Sequence, residues 1–330
     1  MCGRGGSSGG GGGGSARQGL GARGGERGEW DRVGVRGPRA RGGGASGGGR
    51  GVAERGDGGI DPDVRVDAAG RGRRLSGWAV VVAAAVLGAC AGSFLNVCVA
   101  RWPGGGSAWS PPSRCDSCGA PVRWFQNIPV ISYLALRGRC AACRVGLTAQ
   151  YPLVELAVAL IWAGMAAQWG AGAEAVRGSL LLTILLGIAL TDARTYIIPD
   201  QFTLGGAALG LLLAPLPDGP TLAEAALGAA IGFGFLWLVA VVSKFFFGKD
   251  AMGGGDVKMM AMAGAFLGPA GAVITLFAGA LIGSIIFGPI SLRTGRLVPF
   301  GIFLALGAGI AYGWGDVLTA WYLDTVLKLK

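Results

Sequence analysis

Residues 178–193 read GSLLLTILLGIALTDA, an apolar run that ends beside the carboxylate of Asp192. A helix that crosses a bilayer needs about 20 such residues. The composition of the whole chain also indicates a membrane protein, because 52% of its 330 residues are hydrophobic and only 15% are charged. A soluble domain carries about 25% charged residues. We therefore predict an all-α polytopic membrane protein with about eight transmembrane helices.

Apolar runs of similar length recur from Gly77 onward and divide the chain into regions. Region 76–150 holds the first helix and a cysteine-rich loop, 151–316 is the main transmembrane domain, and 317–330 is a C-terminal tail. The predicted spans are 77–99, 151–169, 178–193, 201–216, 222–244, 256–268, 270–291 and 297–314.

The segment 1–75 has a different composition, with 28 of the 65 glycines. It has too little apolar surface to offset the entropy cost of ordering, so we expect a disordered Gly/Arg-rich extension. RNA-binding tails of this type interleave arginine with aromatic residues, whereas Trp30 is the only aromatic residue here. We expect no nucleic-acid partner. We interpret the segment either as a start-site artefact ahead of a natural start near Leu75 or as a tail that is not translocated.

Basic residues orient the helices, because short cytoplasmic loops collect Lys and Arg. If the spans alternate, most of these residues fall on one side, which is then the cytoplasmic side. The same side receives Asp192, Asp256 and the whole loop 100–150. The basic residues concerned are Arg101, Arg114, Arg123, Arg137, Arg139, Arg144, Arg194, Lys244, Lys249, Lys258, Arg293 and Arg296.

Two CxxC pairs lie in the loop after the first helix. Cys115 and Cys118 form one pair, and Cys140 and Cys143 form the other. Each CxxC pair forms a tight turn, called a knuckle here, that directs two thiolates to one point. Two knuckles complete a tetrahedral site, so the spacing predicts a small zinc-ribbon-like insert with a structural zinc ion. The alternative is a pair of disulfides, which would need an oxidising compartment rather than the cytoplasm.

The chain contains no histidine, which excludes Ser-His and Cys-His nucleophiles and HExxH proteases. A pair of carboxylates is then the most plausible acid/base machinery. Asp192 and Asp256 are the candidates, since both lie at the ends of apolar runs, where a carboxylate costs several kcal/mol unless it is paired, protonated or hydrated. Paired aspartates also occur in proton-coupled membrane transporters, which are the alternative class.

An ordered set of motifs extends from about Leu87 to Leu306. It comprises GSFLNV (92–97), Arg101, SRC (113–115), Trp124, NIPV (127–130), RGRC (137–140), YPLVE (151–155), the run 191–200, GGGD (253–256) and PFGIFL (299–304). This set resembles the bacterial prepilin peptidases, the bifunctional type IV leader peptidase and N-methyltransferase family of aspartic membrane proteases. Ile302 stands where we would expect a proline in the family's last motif.

The resemblance implies an enzyme of the bacterial inner membrane. It would cleave the basic leader from type IV prepilins or pseudopilins at the cytoplasmic face, and methylate the new N-terminal residue from S-adenosylmethionine. It also implies that 151–316 is the peptidase domain and that Asp192 and Asp256 carry catalysis.

Helix polarity suggests separate roles for the two aspartates. Asp256 would lie at a helix N-terminus, which favours a carboxylate, and Asp192 near a C-terminus, which disfavours one. We therefore predict that Asp256 is the base and Asp192 the protonated acid.

Several other residues have expected roles. We expect Gly253, Gly254 and Gly255 to let an extended substrate approach the backbone. Glu155 has two interpretations: it binds methyl-donor or leader groups, or it pairs with a loop arginine. We interpret Asp200 as a helix cap, with a third catalytic residue as the alternative, and Lys258 as a residue that reaches to the membrane interface.

Overall fold

The structure, a computed structural model, describes residues 66–248, 252–294, 299–326 and 328. Within these residues every regular element is helical and no β-strand occurs. Short 3-10 turns at Trp102–Gly104 and Trp124–Asn127 lie in the loop after the first helix. The helices are α1 (Val66–Arg101), α2 (Ile131–Ala135), α3 (Gln150–Trp169), α4 (Ala173–Thr195), α5 (Asp200–Leu213), α6 (Leu222–Phe247), α7 (Gly254–Thr294) and α8 (Phe300–Thr325).

Some sequence predictions fall on residues outside these ranges. The predicted extension 1–75 is outside them as far as residue 65, and its last ten residues belong to the backbone of α1. Lys249 and Arg296, which entered the charge argument, are also outside the described residues.

Six of the described helices are long and apolar enough to cross a membrane: α1 from Gly77 onward, α3, α4, α6, α7 and α8. Helix α5 has 14 residues, fewer than the roughly 17 that short transmembrane helices need. The protein is therefore an all-helical, multi-pass membrane protein, while the count of eight spans stays a prediction.

The first half of α7 packs antiparallel to α6 through glycine contacts. A Cβ atom added to Gly228 would collide with the carbonyl oxygen of Gly264, and one on Gly232 would collide with that of Met260. Small residues allow helix backbones to approach closely inside a membrane, where no hydrophobic effect drives helices together.

The second half of α7 packs antiparallel to α8. Gly283 approaches the ring of Phe303, while Gly307, one turn further along α8, meets the carbonyl oxygen of Thr275.

The start of α7 lies near Asp192, as does the start of α8, against which the second half of α7 packs. Both ends of α7 therefore lie at the same end of the bundle, and the chain reverses direction within this helix. The reversal occurs at Gly268, whose φ of 70° is readily available only to glycine.

A buried arginine closes the opposite end of the bundle from Asp192. Arg177 in α4 pairs with Glu174 at 2.6 Å. It also donates hydrogen bonds of 3.0–3.2 Å to the backbone oxygens of Leu216, Pro217 and Asp218, which connect α5 to α6. Because the last carbonyl groups of a helix lack partners within it, this arginine satisfies groups that would otherwise be costly to bury.

Four helix ends meet at the end of the bundle that carries Asp192. Helix α4 ends there with a left-handed residue, Tyr196, whose N–H bonds to the carbonyl oxygen of Asp192. Helices α5, α7 and α8 begin there. Three helix N-termini and the last turn of α4 therefore surround one point at this end of the bundle.

Candidate active site

Asp192 is buried in the last turn of α4, with 4% of its surface exposed. Its Oδ2 accepts a hydrogen bond of 3.1 Å from the backbone N–H of Ile302, in the first turn of α8. The N-terminus of a helix carries partial positive charge and favours a carboxylate. Helix α8 therefore stabilises the charge that the end of α4 disfavours.

This contact changes the helix-polarity argument for the two aspartates. The assignment of the proton to Asp192 considered only α4, the helix that carries this residue. With α8 donating to Asp192, both carboxylates lie at helix N-termini. Helix polarity alone thus no longer separates an acid from a base.

Asp256 lies in the first turn of α7, which begins at Gly254. It is two residues inside the helix, so it is not the N-cap residue. Asp192 is the charged residue that lies close enough to interact electrostatically with the Asp256 carboxyl group. The structure therefore brings together the two aspartates that the sequence singled out, although they are far apart in the chain.

Glycine is needed where the backbone passes the two carboxylates. A Cβ atom on Gly301 would lie 2.9 Å from Asp192 Oδ2, and one on Gly253 would lie 2.9 Å from Asp256 Oδ2. A Cβ atom on Gly255 would lie 3.0 Å from Ile198 Cβ, in the loop between α4 and α5. Gly254, by contrast, is open and exposed. Two of the three predicted substrate glycines thus fit tightly, and Gly253 is the one that touches a carboxylate.

An ion pair borders the aspartates, and it corrects the interpretation of Asp200 as a helix cap. Lys258 Nζ lies 2.7 Å from Asp200 Oδ1 and 2.9 Å from Oδ2. Asp200 is the first residue of α5 and makes no side-chain cap; Pro199 is at the cap position. Asp200 and Lys258 therefore join the starts of α5 and α7. Their separation of 58 residues in sequence gave no local signal for this pairing.

The four predicted zinc ligands form one cluster. The Sγ atoms of Cys115, Cys118, Cys140 and Cys143 all lie within 4.8 Å of one another. Cys115 Sγ and Cys143 Sγ are 3.8 Å apart, which is the edge of a tetrahedron with Zn–S bonds of about 2.3 Å and far from a disulfide bond of about 2.05 Å. All four cysteines are free.

In the second knuckle, backbone N–H groups favour one thiolate ligand, that of Cys140, whereas the pKa of Cys143 is raised to about 11 by burial and by the neighbouring cysteine side chains. Cys140 Sγ faces the backbone N–H of Cys143 and then that of Ala142, and these contacts lower the pKa of Cys140 to about 6. A thiolate, rather than a thiol, is the form that binds metal. The donor set and its geometry therefore fit zinc.

Glu155 is buried in α3 beside the cysteine module. Its Oε2 accepts a 2.7 Å hydrogen bond from the backbone N–H of Val130. None of the arginines in the described part of the chain forms an ion pair with it. The alternative of a pair with a loop arginine is therefore absent from these residues. Glu155 instead lines a cavity of about 860 Å³ between α1, α3 and the cysteine module.

Sequence reasoning missed three contributors to the aspartate site: the Ile302 N–H, Gly301 and Ile198. The motif PFGIFL belongs to the family resemblance, but none of its side chains indicates a contact with Asp192. A backbone donor has no side-chain signature, so only the fold could reveal this contact.

Comparison with known proteins covers nearly the whole described chain. Residues 86–169 match the model of the bacterial peptidase A24 N-terminal domain, and residues 179–288 match that of the type IV leader peptidase family. No solved structure matches the chain.

Full-length relatives share the same name. The prepilin leader peptidase/N-methyltransferase of Stutzerimonas stutzeri is 35% identical over an alignment of 273 residues that covers 74% of this chain and 94% of that protein. The protein of that name from Pseudomonas aeruginosa is 36% identical over 274 residues, with 74% and 94% covered. The Neisseria gonorrhoeae protein is 35% identical, with 73% and 93% covered. On this similarity, the chain belongs to the type IV leader peptidase family.

Proposed function

We propose that this protein cleaves the leader peptide from type IV prepilin-like precursors at the cytoplasmic face of the bacterial inner membrane, and then N-methylates the new N-terminus with S-adenosylmethionine. One observation carries the first part of the proposal. Asp192 and Asp256, from two different helices, interact with each other at one end of the helix bundle in a chain without histidine. The names of the relatives support both parts.

The two carboxyl groups account for peptide hydrolysis. Like charges at close range do not both ionise at low cost, so Asp192 and Asp256 share one proton. The ionised carboxylate removes a proton from water, whose oxygen bonds to the scissile carbonyl carbon. The protonated carboxyl donates its proton to the carbonyl oxygen. Collapse of the resulting gem-diol breaks the C–N bond, and the departing amine takes up a proton.

N-methylation would follow at the amine that cleavage releases. Its nitrogen lone pair forms a bond to the methyl carbon of the donor as the S–CH3 bond breaks. The sulfonium becomes a neutral thioether, and the nitrogen loses a proton to water or to a base. The donor supplies the methyl group, while the protein binds and orients both partners.

We further propose that the chain crosses the membrane eight times. The reversal at Gly268 makes α7 two crossings, and α5 is a short crossing beside the first of them. The basic loop 100–150 and both aspartates then share the cytoplasmic side. The four cysteines would hold a structural zinc ion there, which fixes the fold of the loop. Substrate would approach at the exposed Gly253 and Gly254, and Gly255 would add backbone contacts.

The alternative of a proton-coupled transporter gains no support from the comparisons. All three relatives described above are named as peptidase and methyltransferase. Transport would also leave the cysteine cluster without a role.

One assay tests both proposed reactions. The purified protein in lipid nanodiscs is incubated with a precursor that has a basic leader before an apolar helix, together with a methyl-labelled donor. We expect shortening of the precursor by its leader, followed by label on the new N-terminal nitrogen. An intact precursor would contradict the peptidase proposal, and a cleaved but unlabelled product would contradict methylation.

A further inference from the structure

The cavity beside Glu155 lies outside the aspartate site, since neither Asp192 nor Asp256 lines it. Its volume of about 860 Å³ is within the usual range of small-molecule sites, about 300–1,000 Å³. Helix α1, the start of α3 and both cysteine knuckles form its walls. It therefore joins the membrane domain to the metal-binding loop.

The acidic part of the cavity comes from α3. Glu155 is 9% exposed and uses Oε2 for the Val130 N–H. Its Oε1 has no hydrogen-bond donor among the described residues. A buried carboxylate without a cation is costly, so this oxygen is suited to a positively charged ligand group.

The rest of the lining adds basic and aromatic groups. Arg101, Arg114 and Arg123 line the cavity, and none of them is paired with Glu155. Tyr133 and Tyr151 also line it. A ligand with separated positive and negative groups and a flat ring system would match these walls, since guanidinium groups bind carboxylates and aromatic rings stack on planar heterocycles.

We propose that this cavity binds S-adenosylmethionine, with Glu155 holding the cationic end of the donor. The inference rests on the proposed methyltransferase function and names the site and the residue. The donor carries a sulfonium and an ammonium group for Glu155, a carboxylate for the arginines and an adenine ring for the tyrosines.

The position of the cavity relative to the aspartates suits a two-step enzyme. Leu95, next to the cavity residue Asn96, packs where α4 and α5 meet, close to Gly187 and Phe202. Phe202 is two residues beyond Asp200, and its ring lies 4.6 Å from that of Trp102 at the end of α1. The α1 segment that lines the cavity thus also packs against the helices of the aspartate site.

Equilibrium binding of S-adenosylmethionine to the full-length protein in nanodiscs tests the assignment without any peptide. Glu155→Gln removes the charge but keeps an oxygen for the Val130 N–H. We expect it to raise the Kd for the donor at least tenfold. Asp316→Asn, which removes an exposed carboxylate of α8, serves as the matched control and leaves the Kd within twofold.

A second variant fills the cavity instead of changing its charge. Ala100→Trp, on the cavity wall, is expected to abolish donor binding, with zinc content and melting temperature as checks on folding. A Glu155→Gln protein that binds the donor as the unaltered protein does would overturn the proposal. So would unaffected donor binding combined with weaker binding of a mature N-terminal peptide, because Glu155 would then hold the acceptor amine.

The same measurement separates this inference from the function on which it rests. If the unaltered protein binds no donor while it still cleaves precursor, the methyltransferase proposal fails and the site fails with it. If the unaltered protein binds the donor and neither variant changes the Kd, methylation stands and only the site is wrong.

Discussion

The carboxylate of Asp192 accepts a hydrogen bond from the backbone N–H of Ile302, 110 residues further along the chain. This bond joins the last turn of α4 to the first turn of α8. Gly301, the residue before Ile302, must lack a side chain, because a Cβ atom there would collide with the Asp192 carboxylate. The position of Asp192 is thus set by a segment that carries no polar side chain of its own.

Gly301→Ala is expected to reduce precursor cleavage by about 100-fold, since an error of about 1 Å in a catalytic group has an effect of this size. The added Cβ would lie 2.9 Å from Asp192 Oδ2 and would displace the carboxylate. Initial rates of leader removal check this. Gly309→Ala on the same helix meets no atom within 4 Å and is the control; equal rates for both variants would contradict the role of Gly301.

The ion pair between Asp200 and Lys258 is expected to add little stability. The two side chains are 56% and 37% exposed, and surface pairs contribute about 0.2–1 kcal/mol. A double-mutant cycle with Asp200→Asn and Lys258→Gln should give a coupling in that range, and the coupling should shrink as salt is raised. A coupling several times larger would show that the pair is shielded from solvent.

Removal of metal from the cysteine cluster is expected to weaken donor binding. Cys115 and Cys140 line the cavity beside Glu155, so loss of the knuckles opens one of its walls. Cys143→Ser should reduce bound zinc from about one ion per chain to nearly none, and it should raise the Kd for S-adenosylmethionine. Elemental analysis and a binding titration measure the two effects, and Cys90→Ser in α1 is the control. Full zinc content in Cys143→Ser would contradict the proposed ligand set.

Arg177→Met is expected to lower the free energy of unfolding by about 3–5 kcal/mol, the usual effect of breaking a buried ion pair. The substitution leaves Glu174 Oε2 and the carbonyl groups between α5 and α6 without the guanidinium donor, while the Tyr312 hydroxyl still donates to Glu174 Oε1. Unfolding in nanodiscs measures this loss. Asp324→Asn near the exposed end of α8 is the control. A change below about 1 kcal/mol, typical of a surface substitution, would show that water replaces the guanidinium.

The sequence predicted the helices more fully than the site. Apolar runs and the absence of histidine were enough to indicate a helical membrane protein and to single out Asp192 and Asp256. The two CxxC pairs were enough to predict one cluster, because their spacing is itself a geometric constraint. Residue type and spacing along the chain were enough to predict each of these features.

The contacts between distant segments could not be predicted in the same way. The partner of Asp192 is a backbone N–H, which every residue except proline has. The pairing of Asp200 with Lys258 depends on how α5 and α7 pack, and local sequence pointed instead to a cap and to the interface. The roles of acid and base for the two aspartates stay a prediction for the same reason, because the N-terminus of α8 faces Asp192 and offsets the effect of α4.

The proposed peptide hydrolysis depends most directly on Asp192 and Asp256. Cleavage of a purified precursor by variants with asparagine at either position is the measurement that tests this role. Asp192→Asn and Asp256→Asn should each lower the rate of leader removal by at least about 1,000-fold, and the double variant should be no slower, because residues that act as one unit are not additive. Zinc content, melting temperature and donor binding should stay those of the unaltered protein. Near-normal cleavage by either single variant would contradict the proposed aspartate pair.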